Sequence, residues 1–337
     1  MIKAFVFGKY LPFHKGHEAM IKYALTKCDF LTVLVCCSDK ENISDNIRSL
    51  WIKKSFECEQ RVEVKLFTYI ESELPNSSES SEEISKIWAT VFKKLFPDYS
   101  ILITSEPYGN FVAKYMKIQH IAFDNEKKLF PVSASLINND LFSYWNYLPD
   151  SVKPYFSIKV IILGTESTGK TVLTKRLSDY FNCSSVSEVG RELIANSNLF
   201  DFEDLIIVAE EHSKRIEKTV MGNSPLIIID TDIHITKSYS RFIFNRELET
   251  TEEIYNANMS DLYLYLNNDV KFVQDGTRLN ELDRNRLDLS HRLILAEHRI
   301  EYIEIKGDWD LRFDLAIKSI NKLIEKKAQG ITKAQQK

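Results

Sequence analysis

Two parallel-sheet α/β domains joined in one chain are what this sequence predicts, on three observations. The chain has 337 residues, a length that ordinarily divides into two domains. Short apolar runs alternate with amphipathic stretches along most of it, the pattern of strands connected by helices. Two of those runs end in a glycine that opens a strand-to-helix turn suited to anions: Lys3–Phe7 before Gly8, and Val160–Leu163 before Gly164.

The second turn organises the chain. Ile158–Thr171 reads IKVIILGTESTGKT, with the GxxxxGK[ST] spacing of a phosphate-binding loop between a buried strand and a helix starting near Lys170. Glycines let the backbone of Gly164, Thr165, Glu166, Ser167, Thr168 and Gly169 wrap with its N–H groups inward, as a nest for phosphate oxygens. The helix adds unpaired N-terminal donors. Lys170 can reach β- and γ-phosphates and the Thr171 hydroxyl can ligate magnesium, so ATP and Mg2+ are the expected cofactors. The rival explanation is an accidental match.

The rest of the second half fits that loop. The helix continues through Val172–Phe181, and a strand over Ser184–Val189 leads into Glu188-Val-Gly-Arg191. A long amphipathic helix is expected over Phe202–Thr219. Leu226–Ile229 is wholly apolar and ends in Asp230-Thr-Asp232. One of these acids can bind the metal's water shell while another orients or deprotonates a hydroxyl, unless they are simple strand-end acids. Leu262–Leu266 is a further strand. In the polar stretch Gln274–Arg286, Arg278, Arg284 and Arg286 suit a lid over transferring phosphoryl groups, or else an ordinary charged helix surface. A helix at His291–Glu297, a last strand at Tyr302–Ile305, a helix over Leu311–Lys327 and a frayed basic tail from Ala328 complete the reading.

The first half opens with the strand Lys3–Phe7 and then Gly8-Lys-Tyr-Leu-Pro-Phe-His14-Lys-Gly16-His17, before a helix over Glu18–Thr26. Gly16 permits close approach of a ligand, and two imidazoles at a helix N-terminus can donate to phosphate oxygens. A pair of structural histidines at a cap is the alternative. Strands follow at Leu31–Cys37, Val62–Phe67, Tyr99–Thr104 and His120–Phe123, with helices at Arg48–Phe56 and Ile84–Leu95. Asp39–Asp45 is a polar loop, Asn76–Glu83 a serine- and acid-rich one, and a helix can open at Ser133. Arg48 faces either a phosphate or a salt-bridge partner. Trp88 reads as core before it reads as a base-stacking surface. Tyr108 stands just after a strand's carboxyl end, where ligands are often contacted. Both aromatics are candidate substrate contacts. The aromatic, proline-containing stretch Leu141–Phe156 is a poor flexible linker and is expected to pack between domains spanning 1–150 and 157–330.

Composition bounds the partners. Net charge is −4, which argues against a general nucleic-acid binder. The cysteines at 28, 36, 37, 58 and 183 form no CxxC pair and no zinc spacing, as expected of thiols in a reducing cytosol. The N-terminal apolar run is too short for a signal peptide, and no stretch approaches about 18 apolar residues, so a cytoplasmic protein without membrane or nucleic-acid partners is expected. Oligomeric state is not written in the sequence, and a homo-oligomer is compatible with it.

Taken in order, these motifs resemble the bifunctional nicotinamide mononucleotide adenylyltransferase/ribosylnicotinamide kinases of bacterial NAD salvage. The resemblance covers almost the whole chain. It rests on Gly8–His17, similar to the HxGH nucleotidyltransferase signature, and on the connector Tyr144-Trp-Asn-Tyr147 with Pro154-Tyr-Phe156. Gly164–Thr171, Glu188–Arg191 and Asp230–Asp232 follow in order. It implies a Rossmann-like nucleotidyltransferase domain followed by a P-loop kinase domain. It also implies phosphorylation of nicotinamide riboside by ATP, then adenylyl transfer from a second ATP to the mononucleotide, giving NAD and pyrophosphate. Lys170 would stabilise phosphates, Thr171 would hold magnesium, and Asp230 is the preferred activator of the riboside hydroxyl. Glu188 and Asp232 would hold ribose hydroxyls or metal waters; Arg191 and Arg278 would contact phosphate or form the lid. His14 and His17, with Gly8, Lys9 and Gly16 in the same turn, would bind ATP in the transferase domain. Some members carry an N-terminal helix-turn-helix repressor domain; this chain starts at the first catalytic strand, so enzyme activity without operator binding is expected.

One departure stands out. The family's second transferase signature resembles I-S-x-[ST]-x-[IV]-R, and here Val132–Asn138 ends in Asn138 instead of arginine. A lost guanidinium removes charge and bidentate donors that a short amide does not replace; Lys127 or Lys128 are nearby in sequence. Two alternatives therefore stay open beside the two-step enzyme: a ribosylnicotinamide kinase with a degenerate first domain, and a nonenzymatic ATP-gated interaction module.

Overall fold

The computed structural model describes residues 1–75, 81–194, 200–272 and 280–333, side chains being described up to residue 327. The chain divides into two units, Met1–Lys153 and Pro154–Lys327, with the division inside the aromatic connector. Each is a five-stranded sheet in which every described pairing is parallel.

In the first unit the strands are β1 (Lys3–Gly8), β2 (Phe30–Ser38), β3 (Val62–Tyr69), β4 (Ile101–Thr104) and β5 (Gln119–Ala122), in the order β3-β2-β1-β4-β5. The order reverses between β1 and β4. Ligands of such sheets lie outside the carboxyl ends of the strands at that reversal. Burial of β1, β2 and β4 on both faces explains their near-continuous apolar runs. One core cluster gathers Phe5, Leu34, Trp88, Phe92, Phe96 and Leu102.

The second unit contains β6 (Ile158–Leu163), β7 (Ser184–Val186), β8 (Leu226–Asp230), β9 (Leu262–Leu266) and β10 (Ile303–Ile305), ordered β10-β9-β6-β8-β7. The strand that feeds the phosphate loop is central, between β8 and β9. Apolar clusters cover both faces: Val160, Ile162, Leu173 and Ala316 on one, Ile161, Ile229, Tyr265 and Leu295 on the other.

Several boundaries differ from the sequence reading, each for a local reason. The first helix starts at Lys15, not Glu18, because His14 caps it. β7 stops at Val186, and Val189–Leu193 is a short helix with Glu188 at its N-cap position. The expected helix at His291–Glu297 is the end of a longer one, Glu281–Glu297, started by Asn280, whose side chain accepts from Asp283 N. That helix absorbs part of the proposed lid, including Arg284 and Arg286. The final helix runs Trp309–Lys333 rather than ending at Lys327 in a frayed tail. Helices at Ile233–Phe244 and Glu252–Ala257 fill a region where the sequence reading placed nothing. Among the described residues, no helix is long and apolar enough to cross a membrane.

Candidate active sites

The first site is the turn from β1 into the helix Lys15–Ala24. His14 takes extended backbone angles, φ −140° and ψ 168°, and its side chain caps the helix. Its Nδ1 accepts from the N–H groups of Gly16 at 3.2 Å and His17 at 3.4 Å. Nδ1 is therefore an acceptor, so in the neutral ring the proton sits on Nε2. His17 stacks on it with ring centroids 3.7 Å apart. A Cβ on Gly16 would stand 3.0 Å from the His14 ring, so glycine is what lets the imidazole fold back over its own helix. Burial pushes His14 down to about 3, with the Lys127 charge adding to the effect. Burial first, then His14 and Lys127, holds His17 well below its ordinary value. Both rings are neutral at pH 7. Cap and anion donor, alternatives in the sequence, are compatible roles of one residue.

Two of the cations around this turn share one carboxylate. Lys9 lies 3.2 Å from Glu41, and the buried Arg48 lies 3.0 Å from the same carboxylate while donating to the carbonyls of Lys9 and Cys36. Arg48 is thus in a salt bridge. A cavity of about 420 Å³ opens at the carboxyl ends of β2 and β3, lined in part by Ser38, Glu41, Arg48, Thr68 and Tyr69. Gly8 packs closely on Tyr10, whose ring lies 3.4 Å from the position of an added Cβ. Asn138 lies on the helix Ala134–Asn139, capped by Ser133, and its Nδ2 donates to Leu11 O at 3.1 Å. Its amide braces the loop before His14.

Trp88 takes a packing position instead of lining an open surface, and Tyr108 is half-buried. The Trp88 indole N–H donates to Pro75 O at 3.0 Å, and its ring meets Phe67, Tyr69 and Phe92. Tyr108 packs on Phe7. The physical reason is the helix Glu82–Leu95, whose apolar face carries Trp88 into the sheet core.

The second site is the loop from β6 into the helix Lys170–Phe181. Gly164 has φ +139°, and a Cβ there would lie 2.7 Å from Leu266 O; Gly169 has φ +89° and caps the helix with no side-chain bond. Ser167 also takes positive φ. Thr168 Oγ1 donates to Thr165 O at 2.7 Å, and the buried Lys170 Nζ donates to the same carbonyl at 3.2 Å. Lys170 is thus folded over the loop it would serve. The Thr165 hydroxyl is buried without a partner. Tyr239 donates to Glu166 at 3.1 Å, which ties the middle of the loop to the helix Ile233–Phe244.

β8 brings the acids. Thr171 Oγ1 donates to Asp230 Oδ2 at 2.7 Å, and Asp230 Oδ1 is buried with no partner. Burial, then the charge of Glu188, raises Asp230 to about 6. Glu188 Oε2 is likewise buried without a hydrogen bond, although the half-exposed Arg191 guanidinium comes within 3.4 Å of it. Asp232 differs. Its Oδ1 accepts from His234 N and Ile235 N, capping the helix Ile233–Phe244, and its Oδ2 lies 2.5 Å from His234 Nδ1. Both oxygens are occupied, so Asp232 is a structural cap where the sequence reading had it contact ribose or metal waters. Arg278 lies outside the described residues. Arg284 is 3% exposed with two guanidinium nitrogens lacking partners, so it is not an ordinary solvated helix charge.

Two further residues were missed in the sequence. The Trp309 ring lies on Gly169, 2.3 Å from where a Cβ would stand, and Arg312 NH1 donates to Thr168 O at 3.0 Å. Together they clamp the loop from the start of the last helix. The partners are 144 positions apart for Arg312, and no spacing rule connects them.

Residues 159–312 match a family model described as an AAA domain. The trifunctional NAD biosynthesis/regulator protein NadR of Salmonella typhimurium is 25% identical over 95% of this chain and 82% of its own length, as is that of Escherichia coli K12. A crystal structure of a NadR protein in complex with NR superposes with a TM-score of 0.67 at 19% identity, covering 95% of both chains. The chain is NadR-like. A second NadR structure, in complex with NAD and AMP-PNP, gives a TM-score of 0.65 at 19% identity over 96% of each chain. The NadR-like architecture therefore extends over both units.

Proposed function

We propose that this NadR-like chain phosphorylates nicotinamide riboside with ATP and adenylylates the resulting mononucleotide with a second ATP, forming NAD and pyrophosphate. The observation that carries the reading is the presence, in one chain, of two separate anion cradles at strand-to-helix turns, His14–His17 and Gly164–Thr171. The NadR relatives give the substrates of that reading.

In the second unit, the loop N–H groups and Lys170 bind the phosphates of ATP. A magnesium ion fits the donors present: the Thr171 hydroxyl and Asp230, one of whose oxygens is buried and open, together with phosphate oxygens. Among the described residues there is no cluster of three or more His, Cys, Asp or Glu for an all-protein metal cage, which suits a nucleotide-bound cation. When bound, magnesium neutralises phosphate charge. With Asp230 on the cation side, Glu188 is the better acceptor for the 5′-hydroxyl proton, which revises the sequence preference for Asp230. The riboside oxygen then bonds to the γ-phosphorus as the bond to ADP breaks. Arg191, half exposed beside Glu188, would meet the product phosphate.

In the first unit, a mononucleotide phosphate oxygen attacks the α-phosphorus of ATP and pyrophosphate leaves. His14 Nε2–H and His17 donate to phosphate oxygens, and no covalent intermediate is needed. Incubating purified protein with ATP and the riboside, then with ATP and the mononucleotide, tests both halves. NAD from each supports the reading; accumulation of the mononucleotide without NAD supports the kinase-only alternative, which Asn138 motivates.

A further inference from the structure

The first cradle has few free cations: Lys15, between the two histidines, is in none of the ion pairs of the described residues. Its two imidazoles are neutral, and Lys9 and Arg48 share the Glu41 carboxylate. Asn138 is occupied by the Leu11 carbonyl. A triphosphate held by neutral donors and the single Lys15 ammonium would keep most of its charge uncompensated in a site of low dielectric.

The loop after β5 offers a cation. Asp124 closes that loop: its carboxylate accepts the N–H groups of Lys128, Leu129 and Phe130 at 2.8, 3.1 and 2.9 Å, and its carbonyl accepts that of Lys127 at 2.8 Å. Lys127 stands at φ +52° on the tip. Phe130 presses on the histidine turn, its Cβ 3.5 Å from where a Cβ on Gly16 would lie. The Lys127 side chain is 40% exposed, with Nζ 3.2 Å from Glu106 just past the end of β4. Its charge is felt at both His14 and His17. Lys128 is 79% exposed and pairs with Glu126.

We propose that Lys127 is a cation of the adenylyl-transfer site, exchanging Glu106 for the triphosphate above the His14–His17 turn and neutralising the charge that develops as pyrophosphate departs. This inference rests on the adenylyltransferase reading of the first unit. The exposed Lys127–Glu106 pair is weak enough to exchange, since such pairs are worth at most about 1 kcal/mol. The fold brings Phe130 of the same loop, more than a hundred positions away, onto the histidine turn.

The test uses the full chain and measures NAD formed from the mononucleotide and ATP, beside mononucleotide formed from the riboside and ATP. Lys127→Ala should lower kcat of adenylyl transfer by about 100-fold, the size of losing one transition-state donor, and leave riboside phosphorylation unchanged. Lys127→Arg should restore most of the rate because the charge remains. Lys128→Ala should leave both reactions within about twofold. Adenylyl transfer by Lys127→Ala within about threefold of wild type overturns the inference, as does a rise in KM with kcat unaltered. Equal loss of both reactions would mark a folding defect, and Lys127→Arg then decides: failure of the arginine variant to recover adenylyl transfer counts against the charge role. A wild-type chain that phosphorylates the riboside but makes no NAD defeats the underlying reading of the first unit, and this inference falls with it.

Discussion

The two anion cradles solve one problem with opposite means. At the phosphate loop the cation, the hydroxyl and the glycines lie within eight consecutive positions, Gly164–Thr171, and Gly169 caps the helix without spending a side chain. At the histidine turn the capping side chain is itself the proposed phosphate donor, both imidazoles are neutral, and the neighbouring Lys9 and Arg48 are bound to Glu41. The difference teaches why one site is legible from a short string and the other is not.

The largest expected effects separate the acids of the second cradle. Glu188→Gln should lower kcat of riboside phosphorylation by about 1,000-fold with the magnesium dependence unchanged, because it removes the proton acceptor. Asp230→Asn should instead raise the magnesium concentration needed for half-maximal rate by about tenfold or more, measured by titration at saturating ATP. If the two variants exchanged phenotypes, Asp230 would be the acceptor.

Next comes the clamp on the loop. Gly169→Ala forces a Cβ into the Trp309 ring at a backbone angle that favours glycine. Urea unfolding of the second unit should show a loss of about 2–4 kcal/mol. Adding Trp309→Ala should recover the steric part and leave about 1–2 kcal/mol of backbone strain. No recovery in the double variant would show that the ring is not what crowds the turn.

The pH dependence should differ between the cradles. Asp230, raised to about 6 by burial and by Glu188, must be charged to hold a cation, so riboside phosphorylation should fall as pH drops through that region. Asp230→Asn should lose this acid limb, read from kcat/KM against pH. For the first cradle the effect is on folding. His14 has a folded value near 3, below the ordinary 6.5 of an unfolded chain, so its stabilisation is complete above about pH 6.5 and is lost as pH falls toward 3. Between pH 7 and 5 that amounts to roughly 2 kcal/mol. In His14→Asn the dependence of stability on pH should be correspondingly shallower.

Much of the fold could be read from apolar runs, because strands buried on both faces leave little choice of residue. β2 and β6 are examples, and so is the long helix Phe202–Val220. The helix Ile233–Phe244 is not legible from its N-cap Asp232, because an aspartate just past a strand end suits a ligand and a cap equally well. Residues of the candidate sites were legible where motif and chemistry share one stretch, as at Lys170 and Thr171. Glu41, Trp309 and Arg312 act from elsewhere in the chain, and only the tertiary fold brings them to the turns. Trp88 follows the first of its two readings: an aromatic on the apolar face of an amphipathic helix packs in the core.

The central claim, that each cradle serves its own ATP-dependent reaction, is tested most directly by crossing two variants with two substrates. Lys170→Ala should abolish phosphorylation of nicotinamide riboside and leave conversion of the mononucleotide to NAD intact, while His17→Ala should do the reverse. Loss of both reactions in either folded variant would contradict two independent sites.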